Sequence, residues 1–412
     1  MAISSWREYV AVANPREVGL ITIAHGVNEF YSVALPPILP LLVADLSISY
    51  AQAGALLTVY YVMYSVFQLP AGVLSDRIGK KWLLAAGMFG LAGGLFLAGF
   101  AQTYLTLVVA QAIAGIGGST YHPTGMSLIS DLETGGTEGK AMGIHGFGGV
   151  AGTAAAPALV GGIAATLDWR RALAVSALVG LVYGVVFAFL FAETPDGSGD
   201  DTPGGATSTE SPDWLTDPRA AIADLIQVPF TGWLVALFGA NFFISLEIGA
   251  TRTFTTSYIF TRAGGESTVL ANGVFFVMLV GAAVSSVWAG NLADRFDRRL
   301  LGIAAFLAST VLLGTTHLIP ATGVLIFAWF FVLGATIYAA LPAINALTSS
   351  YADRNSSGSL FGIMLTAGSL GGAGGPLLFG VLANRLGLSL AFPAIGAIGL
   401  IGAGAMGFLY RA

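Results

Sequence analysis

Twelve apolar stretches follow one another along the chain, near residues 18–43, 51–74, 81–101, 104–130, 140–166, 171–192, 229–259, 268–291, 300–318, 321–350, 357–383 and 388–410. A run of about 20 residues, at roughly 1.5 Å rise per residue, matches the hydrocarbon core of a bilayer. In hydrocarbon every backbone N–H and C=O must be satisfied within its own segment, so these runs are helices. The pattern predicts an all-α membrane protein with twelve transmembrane helices. Between the sixth and seventh runs lies ETPDGSGDDTPGGATSTESPDWLTDPR, Glu193 to Arg219, rich in Gly, Pro, Ser, Thr and acid. It is too polar to bury and reads as a flexible acidic linker. The chain then divides into a six-helix unit at 1–192, a linker at 193–228 and a second six-helix unit at 229–412.

Composition narrows the function. Hydrophobic residues make up 55% of the 412, charged residues 9%, and mean hydropathy is +0.80. Soluble domains carry roughly 25% charged residues, which excludes a soluble enzyme of this length. Met1 to Val18 holds Arg7, Glu8, Arg16 and Glu17 without the short apolar core of a cleavable leader, so the first helix is expected to stay in the protein. The absence of cysteine excludes disulfides, thiolate metal sites and cysteine nucleophiles. No metal-ligand spacing or Walker-type nucleotide loop occurs, so no cofactor, metal or nucleic acid is expected and ATP-driven transport is disfavoured.

With the linker placed inside the cell, Arg7, Arg16, Arg77, Lys80, Lys81, Lys140, Arg219, Arg295, Arg298, Arg299, Arg354 and Arg411 fall on the cytoplasmic side. Only Arg170, Arg171, Arg262 and Arg385 are left outside. This asymmetry predicts a multi-pass protein of the cytoplasmic membrane with both termini inside.

The halves repeat each other. GVLSDRIGKK at 72–81 recurs as GNLADRFDRR at 290–299, an offset of 218 that also aligns Glu29 with Glu247. Farther on the offset is 219: Gly115 meets Gly334, Pro123 meets Pro342, Gly143 and Gly152 meet Gly362 and Gly371, and Pro157 meets Pro376. In duplicated six-helix units the substrate site commonly lies at the bilayer midplane between the repeats.

GVLSDRIGKK resembles the signature of the major facilitator superfamily between helices 2 and 3, with agreement at Gly72, Leu74, Asp76, Arg77 and Gly79, and lysines at 80 and 81. The resemblance covers nearly the whole chain apart from the linker. It implies that Gly72, Asp76, Arg77, Gly79 and Lys80, with Asp294 and Arg295 of the second copy, form a conformational latch. Asp76 would sit against the start of helix 11, where Asn355, Ser356 or Ser357 caps the free amides. Gly143 to Gly161 is similar to the family's antiporter motif, departing from it at Ala156 and Val160; Gly152, Pro157, Gly371 and Pro376 serve either helix packing or a moving hinge. Gln111 stands where relatives often have an Arg ahead of Gly115 and Gly117, which puts proton coupling through that Arg in doubt. HGVNEFYSVALPPILPLL in helix 1, Tyr-His-Pro at 121–123 and IHGFGGVAG at 144–152 resemble the fosmidomycin-resistance-like efflux branch.

Ionisable groups at bilayer depth are costly, so those retained face a cavity or a partner. They are His25, Glu29, His122, His145, Glu247 and Arg252, joined by Asn28 on helix 1. His25 and Glu29 lie one helical turn apart and share a face. Arg252 follows Glu247 by five residues, so the two point apart; Arg252 is placed to meet an anionic substrate or Glu29 across the cavity. Each of these groups has a structural alternative as an interhelical hydrogen bond. The reading is a monomeric secondary transporter for a small solute, with proton-coupled efflux of a drug-like or anionic compound first and proton symport of an organic anion second. A membrane-embedded metal enzyme and a non-transporting receptor stand behind these.

Overall fold

The computed structural model describes residues 12–133, 135–192, 231–351 and 357–410. The expected linker and the Asn355 and Ser356 cap lie outside the described residues, as do the side chains of Asp76 and Ser357. The described residues form helices α2 (Tyr50–Ile78), α3 (Lys80–Gly99), α5 (Glu138–Thr166), α6 (Trp169–Leu190), α7 (Gly232–Arg262), α8 (Thr268–Arg295), α9 (Arg298–Thr315), α10 (Val324–Tyr351) and α11 (Ser357–Leu386). Three expected spans are divided: α1a (Pro15–Ser32) from α1b (Leu39–Leu46), α4a (Tyr104–Gly118) from α4b (Tyr121–Leu132), and α12a (Leu388–Ala394) from α12b (Ala397–Phe408).

The first and fourth breaks correct the expectation of continuous helices, and proline is the cause. Pro36 and Pro37 impose a 3-10 turn, Pro36–Ile38, between α1a and α1b. Pro123 has no N–H to give the Ser119 carbonyl, and the ladder lapses at Ser119 and Thr120. Elsewhere local chemistry sets the ends. Ser49 and Gln52 form a reciprocal capping box at the start of α2. Gly79, the signature glycine, links α2 to α3 at φ 90°, which a side chain would strain. In the second copy the same turn is built differently: Asp297 caps α9 by accepting from the Arg299 and Leu300 amides.

Within each half, small residues bring helices together. A Cβ on Gly152 of α5 would land on the Gly26 carbonyl of α1a, and one on Gly371 of α11 would land on the Phe242 carbonyl of α7. Those two motif glycines are packing surfaces inside each half.

Contacts between halves gather at the face away from the chain ends. The Tyr50 amide donates to Asn384 Oδ1 at 2.9 Å, Thr58 Oγ1 donates to the Ala373 carbonyl at 2.6 Å, and Asn272 Nδ2 of α8 donates to the Pro37 carbonyl at 3.0 Å. Toward the face of the chain ends, α2 exposes Val66, Leu69 and Leu74. The central cavity is therefore closed at the distal face and open toward the termini.

At the terminal face Glu133 ties the chain ahead of α1a to the end of α4b. Its two oxygens accept from the Ala13 and Asn14 amides at 2.9 and 2.6 Å, and Asn14 Nδ2 donates to the Leu132 carbonyl. Burial alone would raise this carboxyl; the amides of Ala13 and Asn14, with the Thr137 and Asn14 side chains, outweigh it and hold it below its ordinary value. A lowered carboxyl stabilises the fold above its unfolded pKa, and that contribution disappears as pH falls through the folded value. Glu133→Gln is expected to cost about 1.5–3 kcal/mol at neutral pH. Thermal unfolding in detergent should show the gap from wild type narrowing in acid; a constant gap would refute the clamp.

Candidate functional site

The break in helix 4 and the glycines of α5 bring the N-terminal polar residues together. Asn28 Nδ2 reaches the Gly118 carbonyl at the end of α4a, 3.2 Å away, so it closes the break. Gly149 leaves room for the His25 ring, because a Cβ there would overlap the imidazole. His25 stacks on His145 with centroids 4.1 Å apart and on Tyr121 at 5.1 Å, and meets His122 edge-on at 5.4 Å.

Hydrogen bonding assigns the tautomers. His25 Nδ1 lies 2.8 Å from the His145 carbonyl, which only accepts, so Nδ1 carries the proton and Nε2 of the neutral ring is bare. Tyr121 donates its hydroxyl proton to the Ile21 carbonyl at 2.8 Å and accepts from His145 Nε2 at 2.9 Å. His145 is thus a buried support behind His25, away from the cavity.

Glu29 and His122 are partly exposed on the cavity wall, with His122 Nε2 3.6 Å from Glu29 Oε1. The carboxylate's partner is His122 from the next broken helix, although His25 is the nearer in sequence. On its other side Ser32 Oγ donates to the Glu29 backbone carbonyl at 2.8 Å and lies 3.4 Å from both Glu29 Oε2 and Arg252 Nη2, so one hydroxyl sits between the two halves. Arg252 makes no ion pair among the described residues, and its Nε lacks a hydrogen-bond partner there. Tyr61 and Tyr338 flank its guanidinium, and Tyr60 and Tyr64 complete the α2 wall.

Six of the seven expected site residues therefore converge. Glu247 does not: it is wholly buried and turned to Ser309 of α9. Five residues of helix turn it roughly 140° from Arg252, which explains how one helix serves both the cavity and the interior of its own half. Tyr60, Tyr61, Tyr64, Tyr338 and Ser32 were not singled out from the sequence, and Tyr121 only as part of the Tyr-His-Pro motif. The Tyr-Tyr-x-x-Tyr spacing in α2 was the available signal, with Tyr60 and Tyr64 one turn apart.

Of the groups that could hold a metal, His25, Glu29 and His122 bring one ligand atom each to within 4.8 Å of the others. No sequence spacing announced this, because the third ligand comes from another helix. The remaining chemistry of the cavity is a fixed cation on one half facing a carboxylate and an imidazole on the other, with tyrosine hydroxyls between.

The family model described as Major Facilitator Superfamily matches residues 21–373 and 237–412. The chain is 25% identical to the Fosmidomycin resistance protein of Escherichia coli (strain K12), over 93% of this chain and 90% of that protein. It is 23% identical to the Hexuronate transporter of Bacillus subtilis (strain 168), over 89% of this chain and 87% of that one. Among solved structures, a bacterial homolog of the human lysosomal transporter Spinster, inward-facing and unoccupied, superposes with a TM-score of 0.81 at 17% identity, covering 98% of this chain and 97% of that chain.

Proposed function

The chain belongs to the Major Facilitator Superfamily, and from that premise we propose that it exports a small organic anion across the cytoplasmic membrane by alternating access, in exchange for protons. Both termini are placed in the cytoplasm, so the cavity is open to the cytoplasm and loads its substrate there. The observation that carries the reading is Arg252: a guanidinium on the cavity wall, without a carboxylate partner and with donors to spare. A charge held at that depth favours a ligand of opposite sign. A transmembrane carrier of this kind is a multi-pass protein working as a monomer, with the solute, protons and the bilayer as its partners.

Glu29 is the proposed proton carrier. It faces the cavity beside His122, with Ser32 lying between it and Arg252 at 3.4 Å from each. For exchange, Glu29 gives up its proton to the cytoplasm as the anion loads at Arg252, and takes one up from outside once the anion has left. Import by symport is the second reading, favoured by the likeness to a transporter named for hexuronate, an anion by its name.

The test is flux of a panel of small carboxylates, phosphonates and anionic antibiotics in proteoliposomes, with and without an imposed proton gradient. Arg252→Lys keeps the charge and loses the planar fork, so KM is expected to rise about tenfold, or 1.4 kcal/mol, with little change in the coupled direction. Saturable flux of neutral solutes only, unaffected by Arg252→Lys, would rule the reading out.

A further inference from the structure

We propose that His25, Glu29 and His122 form a site for a divalent first-row transition-metal ion, reached from the central cavity. The inference goes beyond the anion-transport reading and stands on its own geometry. The three ligand atoms already lie within 4.8 Å of one another, and His122 Nε2 and Glu29 Oε1 are 3.6 Å apart. Metal bonds of about 2.0–2.1 Å in a tetrahedral shell place neighbouring ligand atoms about 3.4 Å apart. His122 and Glu29 are therefore nearly in register, and modest side-chain rotation brings them to His25.

Each ligand is prepared for its part. The His145 carbonyl holds the proton of His25 on Nδ1, leaving the Nε2 lone pair free, and the stack against His145 and Tyr121 fixes the ring plane. A ligating imidazole with its other nitrogen bonded to a carbonyl is the arrangement that orients metal-bound histidines. His122 and Glu29, with side-chain exposures of 32% and 22%, remain free to adjust and leave the fourth position facing the cavity. Two imidazoles and one carboxylate suit zinc, cobalt, nickel or copper, and not magnesium or calcium, which prefer all-oxygen shells. Arg252 lies across Ser32 from the other carboxylate oxygen, so its charge opposes a bare cation and favours an ion that arrives with an anion in its open position.

The experiment uses the full chain purified in detergent on a tag without histidine, stripped by chelator and then dialysed. With no cysteine present, cobalt spectra report only nitrogen and oxygen ligands. Titration with Co²⁺ is expected to raise visible bands of a low-coordinate complex at one equivalent, displaced by Zn²⁺. His122→Ala and Glu29→Gln should each weaken binding by about 100-fold or more, the upper end of what even supporting groups contribute. His317→Ala, at an exposed histidine far along the chain, should leave it unchanged. Metal-free unfolding temperature and monodispersity show whether each variant folds, and His122→Gln replaces His122→Ala if the latter does not. Absence of the bands at saturating Co²⁺, or binding retained by folded His122 and Glu29 variants, would overturn the assignment.

Discussion

Exchanging Glu29 for Gln is expected to abolish uphill transport while leaving downhill exchange of the same solute within about tenfold of wild type, a difference of 1.4 kcal/mol. Gln keeps the shape of the side chain, and Ser32, which donates to the backbone carbonyl of residue 29 at 2.8 Å, is left in place. Only the ability to take up and release a proton is lost. Gln111 occupies the helix 4 position where relatives often carry an Arg, which leaves Glu29 as the carboxylate of the described cavity wall. Its neighbour is His122, so the pH dependence of transport should move with His122→Ala. His25→Ala should instead weaken the support around the site, since its ring stacks on His145 and its Nδ1 proton is held by the His145 carbonyl. Accumulation and counterflow measured in parallel, in chelator-containing buffer so that no metal competes for Glu29, decide the matter. Wild-type accumulation by Glu29→Gln would remove Glu29 from the coupling step.

The helices and their pairing into two halves were legible because bilayer length and backbone satisfaction leave few alternatives. The cost of charge at bilayer depth also picked out Glu29 and Arg252. What periodicity could not show was the local failure of the ladder at Pro36 and Pro123, since a proline inside an apolar run is equally compatible with the unbroken α10, which holds Pro342. The fourth-helix break matters most, because it sets His122 beside Glu29 and gives Asn28 a carbonyl to close. Glu247 shows the opposite limit. Repeat symmetry pairs it with Glu29 in the sequence, yet α7 turns it inward to Ser309, and only the packing of α7 against its neighbours reveals this. Glu133 was invisible for a simpler reason: a carboxylate at a helix end is ordinary until the amides that bind it are known.

Gly54→Val is expected to unseat the distal closure. Gly54 of α2 faces the Pro376 carbonyl of α11, and a Cβ would overlap that backbone, which has no flexible end to move aside. The repeat offset of 218 places Asn272 at the corresponding point of α8, where it packs on Gly161 of α5 and donates to the Pro37 carbonyl. The closure thus has two lips: one seated on a glycine, the other held by an amide. Overpacking of this kind costs about 1–3 kcal/mol, and here the strain falls on the closed state and is released when the lips part. That cost equals a roughly 5- to 150-fold shift between the two states. Because the chain has no cysteine, Thr58→Cys supplies a unique label beside the seam, where Thr58 otherwise donates to the Ala373 carbonyl. A membrane-impermeant maleimide applied to the distal face should react with Cys at position 58 at least fivefold faster in the Gly54→Val background, by the same relation between energy and population. Turnover should fall as well, since a carrier that cannot close one face cannot complete its cycle. Equal labelling rates in two folded proteins would show that the Gly54 seam does not control the distal gate.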